Sequence, residues 1–390
     1  MHFTCRANVL LALSAFAVAT QGPGGAEHSP TRSRITEAAA AGEFLGDDAS
    51  GSRKTLMTPS MSDHIDLTVL PFISTAFASI EAIQSPVVAA NNTINASATR
   101  VDTHVHLVPD WYRALVPVTG GNPTPEWDVQ SHLQFMADNS IRHSFASVSS
   151  PGSGAYPGDE TKSVALARVL NEWSAALVKT YPDRFSFFAV VPLPYVQAAI
   201  TEVDYALSYL GAAGVICLTN HEGFYLGNPM FTPFFNFLNS RNSSREVIFV
   251  HPNEPHVHQN HTLTSANPTL YPPGAIEFYF ETARTFMDLT VSQTLASFTK
   301  LATPSRTSAA PFRPAPSEPP FSAGPTYNHQ VQGLLAHSVP ASQLIFGSDW
   351  PYGPPLSSLD SLAAIVDAPV LSPEEKEGVF GGNAGVLFGA

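Results

Sequence analysis

Cysteine is nearly absent: Cys5 and Cys217 are the only two in 390 residues. Cys5 lies in a segment read below as removable, so no disulfide framework can form and no thiolate cluster can hold a metal. Any ion must be held by nitrogen and oxygen. Positive charge is scarce too. Only 19 Lys and Arg stand against 32 Asp and Glu, and the formal net charge of −13 argues against nucleic acid and against electrostatic binding to anionic membranes as partners. The apolar run from about Val9 to Val18 is too short to cross a bilayer. Small molecules remain as the expected partners.

What is present is material for a core. The chain is 44% hydrophobic, which at this length is enough for one large barrel or two ordinary domains. Residues 1–20 read as a secretory signal, with Arg6 in a short basic region, the apolar run, and Ala17-Val18-Ala19 as a small-residue cleavage pattern. Sequons at Asn91, Asn95, Asn242 and Asn260 agree with a secreted protein, although such triplets also arise by chance. The alternatives are an organelle presequence or a misassigned start, the latter giving a cytoplasmic protein. Residues 21–98, rich in Ala, Ser, Thr and Gly, read as a poorly ordered lead-in with a moderately apolar patch from Ile65 to Ile83.

From Thr99 onward strand-like and helix-like runs alternate. Strands are expected at Arg100 to His106, Ser144 to Val148, Arg184 to Pro192, Gly214 to Leu218, Val247 to His251 and Leu344 to Ser348. Helices are expected at Thr161 to Tyr181, Val196 to Leu210, Pro233 to Arg241 and Ile276 to Phe298. The first of these places Val164, Leu166, Ala167, Leu170, Trp173, Leu177 and Val178 at helical spacing. Strands apolar on both faces and joined by such helices indicate a parallel sheet, and an α/β barrel of the TIM (β/α)8 type fits best.

Such barrels carry their sites at the C-terminal ends of the strands. There the chain places Val101-Asp102-Thr103-His104-Val105-His106, then Glu246-Val-Ile-Phe-Val-His251-Pro, then Gln343-Leu-Ile-Phe-Gly-Ser-Asp349-Trp-Pro. Histidines one residue apart in a strand share a face. An isolated HxH is more often an unliganded pair, but three separate strands ending in His104 and His106, His251 and Asp349 make a mononuclear site for a divalent ion the better account. An ion held in this way lowers the pKa of water toward 7 and polarises a substrate oxygen. Asp349 is assigned two roles, ligand and catalytic hydrogen-bond acceptor. One ion is expected rather than two, because Val215-Ile-Cys-Leu-Thr219 offers no bridging lysine or carboxylate.

These motifs, with Tyr225-Leu-Gly-Asn-Pro-Met-Phe-Thr-Pro-Phe, resemble the amidohydrolase-superfamily decarboxylases of the aminocarboxymuconate-semialdehyde and 6-methylsalicylate type, the latter typical of fungal polyketide pathways. The resemblance covers roughly residues 99 to 300 and 321 to 390. It implies that His104, His106, His251 and Asp349 hold one divalent ion, Zn²⁺ first and Mn²⁺ second. It implies non-oxidative loss of CO₂ from a small aromatic or enoic acid, with the carboxylate and ortho-hydroxyl of a salicylate-like substrate meeting the metal. Relatives are often homodimers, an analogy only. Two other readings are carried: a metal-dependent lactone or amide hydrolase, and a truncated homologue without turnover.

The chain also departs from the family. Its members carry a Ser-His-Ala-Gly-Gly type motif on strand six, whose histidine exchanges protons at the site. Between Phe298 and Phe321 this chain has instead a Pro/Ser/Ala tract, which cannot be a central strand because proline lacks the ladder donor. A βα unit needs roughly 30 residues, so strands six and seven are expected to be missing, with a proline-rich interruption at 301–320 in a 99–390 barrel domain. His256, His258, His261, His329 and His337 are read as surface histidines and none is assigned as the base. Trp111, Tyr112 and Trp350 are read as pocket or core, and Glu281-Thr-Ala-Arg284 as charge placement that suits a helix dipole.

Overall fold

Consecutive strands whose two faces are both apolar have to be covered twice, and the chain does so by returning a helix after each strand. The computed structural model describes residues 16–18, 56–57, 64–84, 98–243, 245–260, 262–303, 328–336, 339–352 and 369–389. Five main strands, β1 (Arg100–Leu107), β2 (Ile141–Val148), β3 (Phe185–Val190), β4 (Gly214–Leu218) and β5 (Glu246–His251), lie side by side in chain order, all pairs parallel. A two-residue β6 (Leu301–Ala302) extends β5 in parallel, pairing Glu246 with Leu301. The last strand, β7 (Leu344–Phe346), runs along the other edge beside β1, where Thr103 Oγ1 donates to Phe346 O at 2.7 Å. The result is a curled parallel half-barrel of the TIM kind.

The strand period of two sorts each strand into an inner and an outer set. On β5, Ile248 and Val250 pack outward with Val215 and Cys217 of β4 against helix residues Val203, Phe234 and Phe286. Val247 and Phe249 belong to the other core, with Phe145, Phe188 and Ile216. His251 therefore shares the face of Phe249, and on β1 His104 and His106 share one face, with a register shift against β2 between Asp102 and Val105 setting Asp102 apart from them. Helix α1 is Ile73–Ile83, α2 is Asp110–Leu115, α3 is Val129–Asp138, α4 is Glu160–Thr180, α5 is Val196–Tyr205, α6 is Thr232–Ser240 and α7 is Glu277–Val291. Asp159 caps α4, its carboxylate accepting Lys162 N at 3.0 Å.

Three expectations change. Residues 64–84 fall within the stretch expected as a poorly ordered lead-in, yet they form a turn and α1 that dock on α4. Ala76, Ile80 and Ile83 are buried, and Trp173 Nε1 donates to Ser79 Oγ at 2.9 Å. Their apolar spacing suits one helix face, which needs only a covering partner to order. Strand six is not wholly missing: the proline argument applies only from Pro304 on, and Lys300 to Thr303 keep their donors and acceptors, so Glu246 N donates to Lys300 O at 3.0 Å. The helix expected from Ile276 to Phe298 breaks after Val291, where Gln293 adopts a left-handed conformation with φ of 62° before Thr294–Ser297 resumes.

Of the signal-like segment 1–20, only Phe16–Val18 is described, and it pairs antiparallel with β7. The remainder of that segment, residues 304–320 of the proline-rich tract, the sequons at Asn91 and Asn95, and His261 and His337 lie outside the described residues. No helix among the described residues is long and apolar enough to cross a membrane.

Candidate metal centre

His104 and His106 leave the inner face of β1 two residues apart, and both are buried, at 3% and 2% exposure. Their Nε2 atoms stand 3.1 Å from each other. Asp349 Oδ1, arriving from beyond β7, lies 3.3 Å from His104 Nε2 and 3.2 Å from His106 Nε2. The buried ring of His251, at the end of β5, meets His106 edge-on with centroids 4.8 Å apart. Ligand-capable atoms of the three histidines all lie within 4.8 Å of one another. Three of the residues singled out in the sequence, His104, His106 and His251, thus form one cluster, and Asp349 joins it through His104 and His106.

The donor set fits a divalent ion. Nitrogen and oxygen atoms 3.1 to 3.3 Å apart have the spacing expected of neighbouring ligands that each stand about 2.0–2.2 Å from one ion. Two imidazoles and a carboxylate this close, taken out of water, need a shared positive charge or proton to bind them together. The apolar wall behind them is Phe249, whose ring meets His104 edge-on at 5.0 Å. At the mouth the ring of Tyr352 stands edge-on to His106 at 5.1 Å, its hydroxyl hydrogen-bonded to Ser149.

Three features that sequence reading missed set this geometry. Asp102, fully buried behind the cluster, accepts from His104 N at 3.1 Å and from Ser348 N at 3.0 Å with the same oxygen. Burial pushes its carboxyl up to about 7, against the opposing hydrogen bonds from Ser348 and His104 and with a smaller push from the Asp349 charge. Gly347 passes so close that a Cβ there would stand 2.5 Å from His104 Cβ. Asp349 has a left-handed backbone, φ 64°, a conformation that Asp and Asn tolerate better than most residues. Asp102 stands two positions before His104, but its role shows only once Ser348, remote in sequence, is in place.

The remaining candidates fall elsewhere. His256 Nδ1 is hydrogen-bonded to Glu254 O at 2.9 Å and His258 Nε2 to Glu222 O at 2.7 Å, both in the hairpin after β5. His329 lies in the helix Asn328–Ala336. Trp111 stacks on Phe72, Tyr112 donates to Ser149 O at 2.7 Å, and Trp350 packs on His132 and Phe135, so all three belong to the core. Glu281 is more than a charge near a helix start. It is fully buried and accepts from Asn220 Nδ2 at 2.8 Å and Tyr225 OH at 2.7 Å, with Arg284 beside it.

Comparison with known proteins agrees with this frame. The chain is 34% identical over 205 residues to decarboxylase yanB of Aspergillus niger, a match that covers 50% of this chain and 55% of that one. It is 32% identical over 206 residues to a 6-methylsalicylic acid decarboxylase of Penicillium expansum, covering 51% and 60%. The matches thus span little more than half the length of these relatives. The crystal structure of an amidohydrolase II superposes over 75% of this chain and 100% of its own, with a TM-score of 0.62 and 25% identity. A dihydroxybenzoic acid decarboxylase from Polaromonas, solved with manganese and an inhibitor, has a TM-score of 0.54 at 17% identity over 74% of this chain and 96% of its own, a likeness of fold. The amidohydrolase family model matches residues 101–301 and 307–390, and with a half-barrel that gathers its histidines at the strand ends, the chain belongs to the amidohydrolase family.

Proposed function

We propose that this chain is a metal-dependent carboxy-lyase that removes CO₂ from a small aromatic acid of the 6-methylsalicylate kind. The observation that carries the reading is the convergence of His104, His106, His251 and Asp349 in a family frame whose similar relatives include a 6-methylsalicylic acid decarboxylase. These four residues would hold one divalent ion, Zn²⁺ or Mn²⁺, which when bound supplies a Lewis acid for the carboxylate and neighbouring hydroxyl of the substrate. Burial of the three imidazoles keeps water from competing for that position and strengthens every charge interaction inside. The bond between ring carbon and carboxylate breaks, its electron pair stays on the ring carbon and takes up a proton there, and CO₂ leaves. Asp349 Oδ1, between the two β1 histidines, is placed to accept a hydrogen bond at the reacting centre. Among the described residues no side chain is assigned as the proton donor.

The stub at β6 and the lack of a Ser-His-Ala-Gly sequence favour one further reading, a homologue that binds the ion without turnover. In that reading a block carrying the rest of strand six, its helix and strand seven has been lost by deletion or by mis-splicing in the gene model. Metal analysis with a CO₂-release assay on 6-methylsalicylate separates the two. Stoichiometric metal with CO₂ release supports the lyase, metal without release supports the inactive homologue, and ester or amide hydrolysis without CO₂ would replace both by a hydrolase. Transcript sequence across Phe298 to Phe321 shows whether a block is missing. His104→Ala should abolish metal binding and Asp349→Ala should weaken it sharply, and full occupancy in both would remove the site assignment.

A further inference from the structure

The metal-ligand set is split between two pieces of chain with very different support. His104, His106 and His251 end strands of eight and six residues that lie in the continuous parallel sheet. Asp349 follows a strand of three residues that stands outside that ladder. What attaches it to β1 is a seam of hydrogen bonds. Asp349 N donates to His104 O at 2.8 Å, His106 N donates to Trp350 O at 2.8 Å, and Thr103 Oγ1 donates to Phe346 O at 2.7 Å. Besides Thr103, one carboxylate bridges the two pieces at the ligands themselves: Asp102 Oδ1 takes the N–H of His104 from one and the N–H of Ser348 from the other. Gly347 lets the chains approach so closely, since any Cβ would collide with His104.

We infer that Asp102 is a positioning residue for the metal centre: it holds Asp349 against His104 and His106, so that the fourth ligand is delivered by a hydrogen-bonded clamp at the seam between the first and last strands. The reasoning is geometric. A carboxylate buried completely is costly and has to be repaid by hydrogen bonds. Here the two main-chain donors it satisfies are those of a ligand, His104, and of the residue that precedes the ligand Asp349. Outer partners of this kind typically change metal affinity 10- to 100-fold when removed.

The inference rests on the metal-site reading proposed above, and the test keeps the two apart. Affinity is measured by calorimetric titration of the full chain with Zn²⁺, and coordination by the visible absorption of the Co²⁺ form. Failure of the unaltered chain to bind either ion sinks the site reading itself. If it binds, Asp102→Ala is expected to weaken Zn²⁺ about 10- to 100-fold and to shift the Co²⁺ spectrum toward that of Asp349→Ala. The double variant Asp102→Ala with Asp349→Ala should bind no more weakly than Asp349→Ala alone, because both changes remove one ligand. Asp102→Asn, which keeps an oxygen for both donors, should restore affinity to within a few-fold.

Unchanged affinity in Asp102→Ala overturns the inference. So do additive losses in the double variant, which indicate general loosening, and an Asp102→Asn variant as weak as the alanine. Should Asp102→Ala fail to fold, Gly347→Ala tests the same clamp by prising the seam open at His104. Full Zn²⁺ affinity and an unaltered Co²⁺ spectrum in that variant would equally count against it.

Discussion

The half of the sheet from β1 to β5 and the stretch that follows Phe298 are built to different standards. In the first, strands of five to eight residues pair in parallel and are almost wholly buried, with Phe188 and Phe249 stacked between them at 5.2 Å. In the second, two strands of two and three residues are held at the edges by a few main-chain bonds and the side chains of Thr103 and Asp102. Three of the proposed ligands come from the first region and one from the second. A rigid frame thus presents the histidines, while the position of the carboxylate depends on contacts made one by one. Loss at the frame should cost folding; loss at the seam should cost the fourth ligand first.

The largest effect that would sharpen this contrast is truncation of the frame. Phe249→Ala removes a fully buried ring packed against Phe188 and His104 and should cost about 3–5 kcal/mol in denaturant unfolding. A loss under about 1 kcal/mol would mean that the long-stranded half is not the stabilising half.

A second effect lies where the regions meet. His132 is buried between Phe185 of β3 and Trp350 of the seam, accepts Trp127 Nε1 at 3.2 Å, and is held down to about 3 by burial, with a smaller contribution from Arg184. Burial likewise holds His221 down to about 3. Both must be neutral in the fold but take up a proton when unfolded, near the ordinary value of 6.5. Their contribution is therefore complete above 6.5 and is lost as pH falls toward 3, at up to roughly 1.4 kcal/mol per pH unit for each proton. Unfolding midpoints measured from pH 7 to pH 4 should fall steeply, and His132→Phe should flatten the slope. An unchanged slope in that variant would assign acid lability to other groups.

Smaller still is the removal of Glu281, which leaves one N–H of the buried Asn220 amide without its acceptor while the other keeps Glu254 O, and should cost about 1–3 kcal/mol in the same unfolding assay. The smallest change expected is at Met287, 67% exposed on α7, where alanine should shift stability by no more than about 0.5 kcal/mol. A larger loss there would show that this helix face is covered in solution.

Much of this was legible in the sequence, for reasons that differ by residue. The main strands and helices were readable because apolar period and strand-ending prolines are local signals, and the ends of the Thr161 to Tyr181 helix differ from the observed Glu160–Thr180 by one residue. The four candidate residues stood out because His104 and His106 form an HxH pair and His251 and Asp349 follow short apolar runs ahead of proline. Asp102 was not, since one of its two donors, Ser348, lies 246 residues away and a polar residue inside a strand has no meaning until that donor is in place. Glu281 was misjudged for the same reason: Asn220 is 61 residues distant. The helix Ile73–Ile83 looked like lead-in because its partner face on α4, including Trp173, is contributed by a remote segment. In the proline-rich tract the rule against central strands was applied one short step too early, before Pro304.

The backbone of Asp349 has a consequence for how this centre can vary. With φ at 64°, the position favours Asp, Asn or Gly and penalises bulkier residues by roughly 1–3 kcal/mol. Exchange to glutamate, which would reach further, or to a β-branched residue meets this conformational cost before any coordination chemistry is considered. Diversification of ion preference in such a chain is therefore channelled toward the histidine positions on the regular strands, where the backbone is indifferent to the side chain it carries.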